Sequence, residues 1–147
     1  MQSLGLMLQD AANLLKREFE RAAKPHQLTL LQWRVLGQLS RTDGLTQTAL
    51  GGQLDASPMT VSDVVERLEG AGLVAREVDP SDSRAKLVRI TPKARALVEE
   101  MRAVAARVYD KALAGIDEDD REAMARALTR IAANLDDRRT TAGDKVA

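Results

Sequence analysis

The chain has no cysteine and only one residue each of histidine, tryptophan, tyrosine and phenylalanine. Without cysteine it can form no disulfide, no thiolate metal site and no cysteine-based redox sensor. The single histidine, His26, has no second histidine and no cysteine beside it to complete a zinc site, so we predict no bound metal. A core with so few aromatic rings must be built from leucine, valine, alanine and methionine, which suits closely packed helices.

Long apolar runs and catalytic motifs are missing as well. No stretch approaches the roughly 20 residues of a membrane-spanning helix, and residues 4–8 lack the basic flank of a signal peptide. We therefore expect a cytoplasmic protein without membrane contact. No nucleophile with its base and no metal cluster is recognisable, and Gly51-Gly52 is not followed by the Lys-Ser of a phosphate loop. The sequence predicts neither an enzyme nor a cofactor.

Net charge gives no indication of a nucleic-acid partner, because 22 basic and 22 acidic side chains cancel. The distribution along the chain is uneven, however. Residues 44–70 carry four acids and only one base, Arg67, whereas residues 71–95 carry six bases and three acids. The six basic residues of the second segment are Arg76, Arg84, Lys86, Arg89, Lys93 and Arg95.

A β-hairpin is predicted in the second of these segments. Residues 73–78 and 86–90 both alternate between apolar and polar side chains, which is the period of a strand. Between them, residues 79–83 have the sequence Asp-Pro-Ser-Asp-Ser, and these residue types favour turns. Arg84 then follows the turn.

Two short helices are predicted before the hairpin. Ser57 is a typical N-cap followed by proline at the first helical position, and the helix it begins has an apolar stripe. Residues 45–54 form a shorter helix candidate capped by Thr46. Two short helices, a brief turn and a hairpin indicate a winged helix-turn-helix. The apolar stripe consists of Val61, Val64, Val65 and Leu68.

Helices are predicted on both sides of this central region. An amphipathic first helix spans residues 4–22, and Thr29 with Gln32 forms a capping box that opens a second helix. A long helix begins at Pro92 and continues to Gly115. The last helix has acids in its first turn, which is favourable for the helix dipole. Its apolar stripe consists of Met124, Leu128, Ile131 and Leu135.

We therefore predict a mainly α fold of the α+β type, a winged helix-turn-helix with flanking dimerisation helices. The predicted parts are an N-terminal dimerisation helix (1–28), a DNA-binding domain (29–91), C-terminal dimerisation helices (92–137) and a tail (138–147). The narrow apolar seams of the outer helices resemble coiled-coil interfaces, although they could also pack within one monomer. A homodimer would place two readers about 34 Å apart, one turn of DNA.

The segments 61–69, 72–76, 79–86 and 90–91 resemble the MarR family of bacterial transcriptional regulators, whose wing commonly reads Asp-Pro-x-Asp-Arg-Arg-Ala. The resemblance covers nearly the whole chain. It implies a triangular homodimer, paired through its first and last helices, that represses a promoter by binding a pseudo-palindromic operator in double-stranded DNA. It also implies release of that DNA when a small, often aromatic, effector binds.

The resemblance assigns roles to individual residues. Arg84 matches the arginine that enters the minor groove, and Asp82 matches the acid that steadies it, whereas Ser83 replaces a second arginine. Asp63 departs from the family, in which an arginine or another non-acidic residue is common at this position. An acid there repels phosphate, although it could accept a hydrogen bond from cytosine N4. The residues predicted to bind DNA are Ser57, Thr60, Ser62, Asp63, Arg67, Asp82, Arg84 and Lys86; those predicted to line the effector cavity are Trp33 and Tyr109.

Other interpretations of the same residues stay open at this point. Arg84 could be a solvated turn residue, and Arg67 and Arg76 could be surface ion-pair partners of nearby glutamates. Trp33 could be an ordinary core residue. For the whole protein, the acidic segment 44–70 suits an alternative in which the winged helix has lost DNA binding and serves as a protein-interaction module.

Overall fold

The computed structural model describes residues 2–137, so the predicted tail lies outside the described residues. Of these, residues 2–112 belong to one compact unit and residues 113–137 to a second. A short 3-10 helix, Lys24–His26, follows the first α-helix. The other elements, in chain order, are α1 (Leu4–Ala23), α2 (Leu30–Arg41), β1 (Leu45–Thr46), α3 (Gln47–Leu54), α4 (Pro58–Gly70), β2 (Val74–Asp79), β3 (Asp82–Ile90), α5 (Pro92–Ala112) and α6 (Glu118–Leu135).

The helices begin where local capping signals predict. Thr29 Oγ1 accepts a hydrogen bond from the Gln32 amide at 3.1 Å, and Gln32 Oε1 accepts one from the Thr29 amide at 3.0 Å, so the predicted capping box is confirmed. Thr46 caps α3 and Ser57 caps α4 in the same way. Each cap satisfies an amide that the first turn of a helix leaves without a partner.

The prediction of a helix over residues 45–54 was wrong at its beginning. Leu45 and Thr46 form β1, which pairs with β3 through Leu45 opposite Val88, and α3 starts only at Gln47. The three strands make an antiparallel sheet in the order β1-β3-β2. Leu45 is extended because β3 offers it backbone partners, an arrangement that local periodicity does not reveal.

The hairpin is longer than predicted, and its tip is irregular. β2 continues to Asp79 and β3 already begins at Asp82, so Arg84 belongs to a strand. Val78 pairs with Lys86 while Asp79 pairs with Asp82, and the register shifts between these two pairs. Residues 83–85 of β3, with Arg84 in the middle, therefore lie between two pairs whose β2 members, Val78 and Asp79, are consecutive. Such a bulge bends a strand and re-aims its side chains.

One core in the first unit joins the helices to the sheet. Val61, Val65 and Leu68 of α4 are buried, as the predicted stripe requires, and Val64 packs against the core as a partly buried residue. Gly51 permits a close approach of α3 and α4, because a Cβ there would lie 3.0 Å from the Ala56 carbonyl oxygen and 3.4 Å from Val61. The other fully buried large side chains are Val35, Leu36, Leu39, Leu50, Val88 and Met101.

The second unit contains α6, which starts at the predicted acidic turn. Asp117 caps the helix by accepting a hydrogen bond from the Asp120 amide at 2.9 Å. Arg121 donates to the carbonyl oxygens of Ile116 and Leu113 at 2.9 and 3.0 Å, which fixes the preceding turn. None of the α6 residues, all of which the structure describes, is buried.

An ion pair fixes β2 to the end of α4. Arg76 Nη2 lies 3.1 Å from Glu69 Oε1, and the Arg76 backbone amide donates to Glu69 Oε2 at 3.1 Å. The side-chain hydrogen bond from Arg76, followed by the amide bond, lowers the pKa of Glu69 below its ordinary value. Arg76 also reaches Gln47 of α3, with Nη1 3.5 Å from Oε1. One arginine therefore joins the hairpin to both short helices, as one of the open interpretations of Arg76 allowed.

Replacing Glu69 with Gln should destabilise the protein at neutral pH, and this loss of stability should shrink as the pH falls. Because the folded state holds the Glu69 pKa below its ordinary value of 4.5, the carboxylate contributes stability above that pH. The contribution is lost as the pH falls through the folded-state pKa. Urea unfolding of wild type and Glu69→Gln between pH 7 and pH 3 should show their difference shrinking below about pH 4.5.

Glu66→Gln is the matched control, because Glu66 is an exposed carboxylate of the same helix without an ion pair to any described residue. It should change the unfolding midpoint little at any pH. A Glu69→Gln deficit that stays constant down to pH 3 would show that the ion pair does not stabilise the fold.

Candidate nucleic-acid interface

The outward face of α4 is set by the burial of the opposite face. With Val61, Val65 and Leu68 in the core, the helical period places Met59 and Asp63 at the centre of the exposed side. Glu66 continues this exposed row toward the C-terminal end of the helix. Of the predicted contact residues, Thr60 is exposed and Ser62 half-buried, and they lie on the two flanks of the row.

Hydroxyl groups at the start of α4 form a small network. Ser57 Oγ accepts from the Thr60 amide at 3.2 Å and donates to Thr60 Oγ1 at 2.9 Å. Both side chains are exposed. The network holds two of the predicted contact residues in one orientation at the positive end of the helix dipole.

The wing tip is ordered by local hydrogen bonds that its two aspartates accept. Asp79 Oδ1 accepts from the Ser81 amide at 2.9 Å and the Ser81 hydroxyl at 2.7 Å, which lowers the Asp79 pKa. Asp82 Oδ1 accepts from the backbone amide of Arg84 at 3.0 Å. The acid predicted to steady Arg84 therefore orders its main chain. The exposed Arg84 guanidinium has no ion pair or hydrogen bond with any described residue.

Most of the basic side chains around the wing are already engaged. Arg76 pairs with Glu69, and Arg89 pairs with Glu77 across the two strands. Arg95 lies 3.6 Å from Asp43, and Lys93 Nζ donates to the Ala71 carbonyl oxygen at 2.9 Å. In residues 2–137, Arg84 and Lys86 are the two cations of this segment that lack an ion pair or hydrogen bond. Both residues lie on β3. Lys86 also acts electrostatically on Glu69, so Arg84 is the arginine of this segment that lacks an ion pair among the described residues.

Arg67 occupies a different position from the central row of α4. It is exposed and, as far as the described chain extends, makes no ion pair, so the alternative interpretation of Arg67 as a partner of a nearby glutamate is not supported. It lines a shallow cleft of about 490 Å³ together with Lys24, Gln27 and Thr29 from the connection between α1 and α2. Arg67 therefore lies on the flank of α4 that faces this connection.

The three aromatic residues of the chain meet in one place. The Phe19 ring packs edge to face against Trp33 and against Tyr109, with ring centroids 5.2 Å apart in each pair. A cleft of about 500 Å³ opens beside them. Its lining contains two arginines and no carboxylate, which suits an anion. The lining residues are Phe19, Leu30, Trp33, Arg34, Gly37, Gln38, Arg41, Gln53, Leu54, Ala105 and Tyr109.

Sequence reasoning found Trp33 and Tyr109 but missed three residues of these surfaces. Phe19 lies in the predicted amphipathic helix 4–22 and was given no role in a cleft, and Arg34 was not considered. Met59, 77% exposed, was overlooked beside Pro58. Its angular position opposite the Val61 stripe was a usable signal, whereas the positions of Phe19 and Arg34 in the cleft depend on tertiary packing.

Other kinds of site find no support in the part of the chain that the structure describes. It contains no group of three metal-ligating side chains, and none of its helices is long and apolar enough to cross a membrane. His26 Nδ1 lies 3.7 Å from a carboxylate oxygen of Glu100.

Known proteins are similar to this chain in both sequence and fold. The model of the MarR family matches residues 28–86. The HTH-type transcriptional repressor Rv2887 of Mycobacterium tuberculosis is 33% identical over 69% of this chain and 73% of its own length.

Two solved structures superpose closely. Bordetella bronchiseptica BpsR, described as regulated in its DNA binding by 6-hydroxynicotinic acid, is 29% identical with a TM-score of 0.81, covering 89% of this chain and 94% of that one. Staphylococcus aureus MepR, solved in complex with DNA, is 25% identical with a TM-score of 0.83, covering 92% and 100%.

The winged helix-turn-helix predicted from the sequence is therefore confirmed by the sheet, the two short helices and these structural relatives. The match to Rv2887 covers 101 residues at 33% identity, so it extends beyond the predicted DNA-binding region. The chain belongs to the MarR family, and it is a transcriptional regulator rather than an enzyme.

Proposed function

We propose that the protein is a homodimeric repressor that binds a pseudo-palindromic operator and releases it when a small aromatic anion binds. One observation carries the proposal. The chain combines a helix with one exposed face, α4, and a wing whose exposed Arg84 guanidinium makes no ion pair among residues 2–137. A regulator of this kind would act in the cytoplasm, where its DNA lies.

In the proposed complex α4 enters the major groove and the wing follows the backbone into the minor groove. Thr60 and Ser62 contact base edges or neighbouring phosphates, and Asp63 accepts a hydrogen bond from cytosine N4. MepR, which is similar in fold and was solved in complex with DNA, supports DNA binding by this fold. Ser57, Arg67 and Lys86 complete the proposed interface by binding phosphates.

Arg84 would enter the minor groove, where a narrow groove concentrates negative potential. The hydrogen bond from its own amide to Asp82 fixes the main chain at the bulge. The guanidinium is then carried by an ordered backbone while its charge stays uncompensated. This arrangement explains how an acid beside the contact residue can favour binding.

The competing function is a protein-interaction module that does not bind DNA. Asp63 and Glu66 support it, because they place two acids on the outward face of α4. The two functions differ in their dependence on salt, since phosphate contacts release counterions from DNA.

Replacing Arg84 with Ala should weaken DNA binding on many sequences and reduce its salt dependence. The plot of log affinity against log salt should become less steep by about 0.9 for each phosphate charge that the substitution leaves unneutralised. Fluorescence anisotropy with a duplex selected from a random library, over a series of salt concentrations, measures both quantities. Ser62→Ala should leave the slope unchanged and alter the ranking of operator variants by about 1 kcal/mol at one base pair.

Arg107→Ala removes an equal charge from an exposed position of α5 and should leave both affinity and slope nearly unchanged. If Arg84→Ala matches wild type at every salt concentration, the wing does not bind DNA. A wild-type protein that binds no duplex at all would favour the protein-interaction function.

Dimerisation is supported by the exposed apolar side chains of the outer helices. Leu128 is 43% exposed and Leu135 75% exposed on one stripe of α6. We propose that α1 and α6 are the main elements that join the protomers, as the predicted dimerisation segments 1–28 and 92–137 require. An operator with two half-sites then follows from the two-fold axis. The exposed apolar residues of α1 are Leu4, Leu6, Met7 and Leu14.

The double substitution of Leu128 and Ile131 with Asp should abolish the dimer. It would bury unpaired charge at the interface, which costs several kcal/mol. Sedimentation should show monomer or aggregate, whereas Thr129→Asp, which adds a charge off the stripe, should remain dimeric. A folded dimer in the double mutant would place the interface elsewhere.

The effector is proposed to bind in the cleft beside Trp33 and Tyr109. Aromatic walls and two arginines suit a planar ring with a carboxylate. BpsR, whose DNA binding responds to 6-hydroxynicotinic acid, supports this class of ligand. The lining comes from α1 and α5 on one side and from α2 and α3 on the other, so a ligand could alter how the reader sits on the outer helices.

Small aromatic acids, 6-hydroxynicotinic acid among them, should change the fluorescence of Trp33, the only tryptophan. Binding should lower DNA affinity by about 5- to 150-fold, the usual range of allosteric coupling. Arg34→Ala should weaken acid binding by roughly 10- to 150-fold, the value of a charge-assisted hydrogen bond. Arg17→Ala, an exposed arginine outside the cleft, is the control. Acids that bind without changing DNA affinity would contradict the proposed switch.

A further inference from the structure

Met59 is the most exposed large apolar side chain of the described residues, at 77%. It is the second residue of α4, directly after Pro58 and within the turn that Ser57 caps. The other large apolar side chains of this helix, its four stripe residues, are buried or packed against the core. Met59 is therefore a single apolar group on a polar surface.

The packing of the fold gives no reason for an apolar residue at this exposed position. Core burial requires the side that carries Val61 and Val65, and Met59 lies opposite it, so its side chain contributes nothing to packing within the chain. Its neighbours on the outward face, Thr60, Ser62 and Asp63, all carry hydrogen-bonding groups. An apolar group among them suits a surface that is polar but includes one apolar feature.

The major groove of DNA is such a surface. Its base edges present donors and acceptors, and the C5 methyl group of thymine is its distinctive apolar group. Residues in the first turn of a recognition helix are those that contact base edges. The methionine side chain is flexible and polarisable, so it can follow the shape of a methyl group.

We propose that Met59 contacts a thymine methyl group and specifies a T·A pair in each half-site. The proposal rests on the proposed function, because it requires α4 to lie in the major groove. Asp63 lies one turn further along the same exposed row and would accept from a neighbouring cytosine. Met59 therefore selects by apolar contact, while Asp63 selects by hydrogen bonding.

Deoxyuridine scanning tests this contact, because deoxyuridine lacks the methyl group and keeps the base pairing of thymidine. The probe is the tightest duplex selected by wild type from a random library, with each thymine of one half-site replaced in turn. Wild type should bind about fourfold more weakly when one particular thymine is replaced, the value of one buried methyl or methylene group. Met59→Ala, which removes the contact from both half-sites of the dimer, should bind the unmodified duplex about 16-fold more weakly and show no further decrease at that position.

Met59→Leu is the matched variant, since it keeps an apolar side chain and should retain most of the thymine preference. Equal deoxyuridine penalties in wild type and Met59→Ala would overturn the proposal, as would a selected half-site without thymine. Failure of the proposed function looks different, because wild type would then select no duplex at all. If Met59→Ala binds DNA like wild type but no longer binds a protein partner, Met59 serves a protein contact instead.

Discussion

The burial of one stripe of α4 is the constraint on which the other features depend. Val61, Val65 and Leu68 fix the rotation of the helix about its axis, because a change of one residue turns every side chain by about 100°. That rotation alone decides that Met59 and Asp63 face outward. Gly51 keeps the turn before α4 close to α3, since an added Cβ would lie only 3.0 Å from the Ala56 carbonyl oxygen. The same apolar contacts that stabilise the fold therefore define which side chains can reach a partner.

A formally neutral chain can still present a local positive charge to DNA, because ion pairs neutralise some of its cations and leave others unpaired. Glu69 and Glu77 each engage an arginine of the sheet, and Asp43, in the connection between α2 and β1, engages Arg95 of α5. Exposed pairs of this kind contribute little stability individually. Their larger effect is to leave Arg84 as the arginine of residues 71–95 whose guanidinium has no ion pair or hydrogen bond among the described residues. Charge counted along the sequence misses this effect, since it depends on which partners the fold brings together.

The features predicted correctly from the sequence are those encoded within a few residues. The Thr29 capping box, the Ser57 cap and the stripe of α4 all depend on spacings of three or four residues, which one helix determines by itself. The errors occurred where distant segments decide. Leu45 is extended because β3 pairs with it, and the meeting of Phe19, Trp33 and Tyr109 requires three helices to pack. The bulge around Arg84 likewise reflects pairing between strands.

The contacts of Arg76 bear on how a ligand in the proposed cleft could control DNA binding. Gln53 and Leu54 place the end of α3 in that cleft, and Arg76 joins the start of α3, the end of α4 and the wing through Gln47 and Glu69. Because these elements are tied together and share one core, a displacement of α3 carries α4 and the wing with it. The reader would then move as one body, with its own contact surface unchanged. What a ligand changes in such an arrangement is the distance and angle between the two readers of a dimer, to which binding across successive grooves is sensitive.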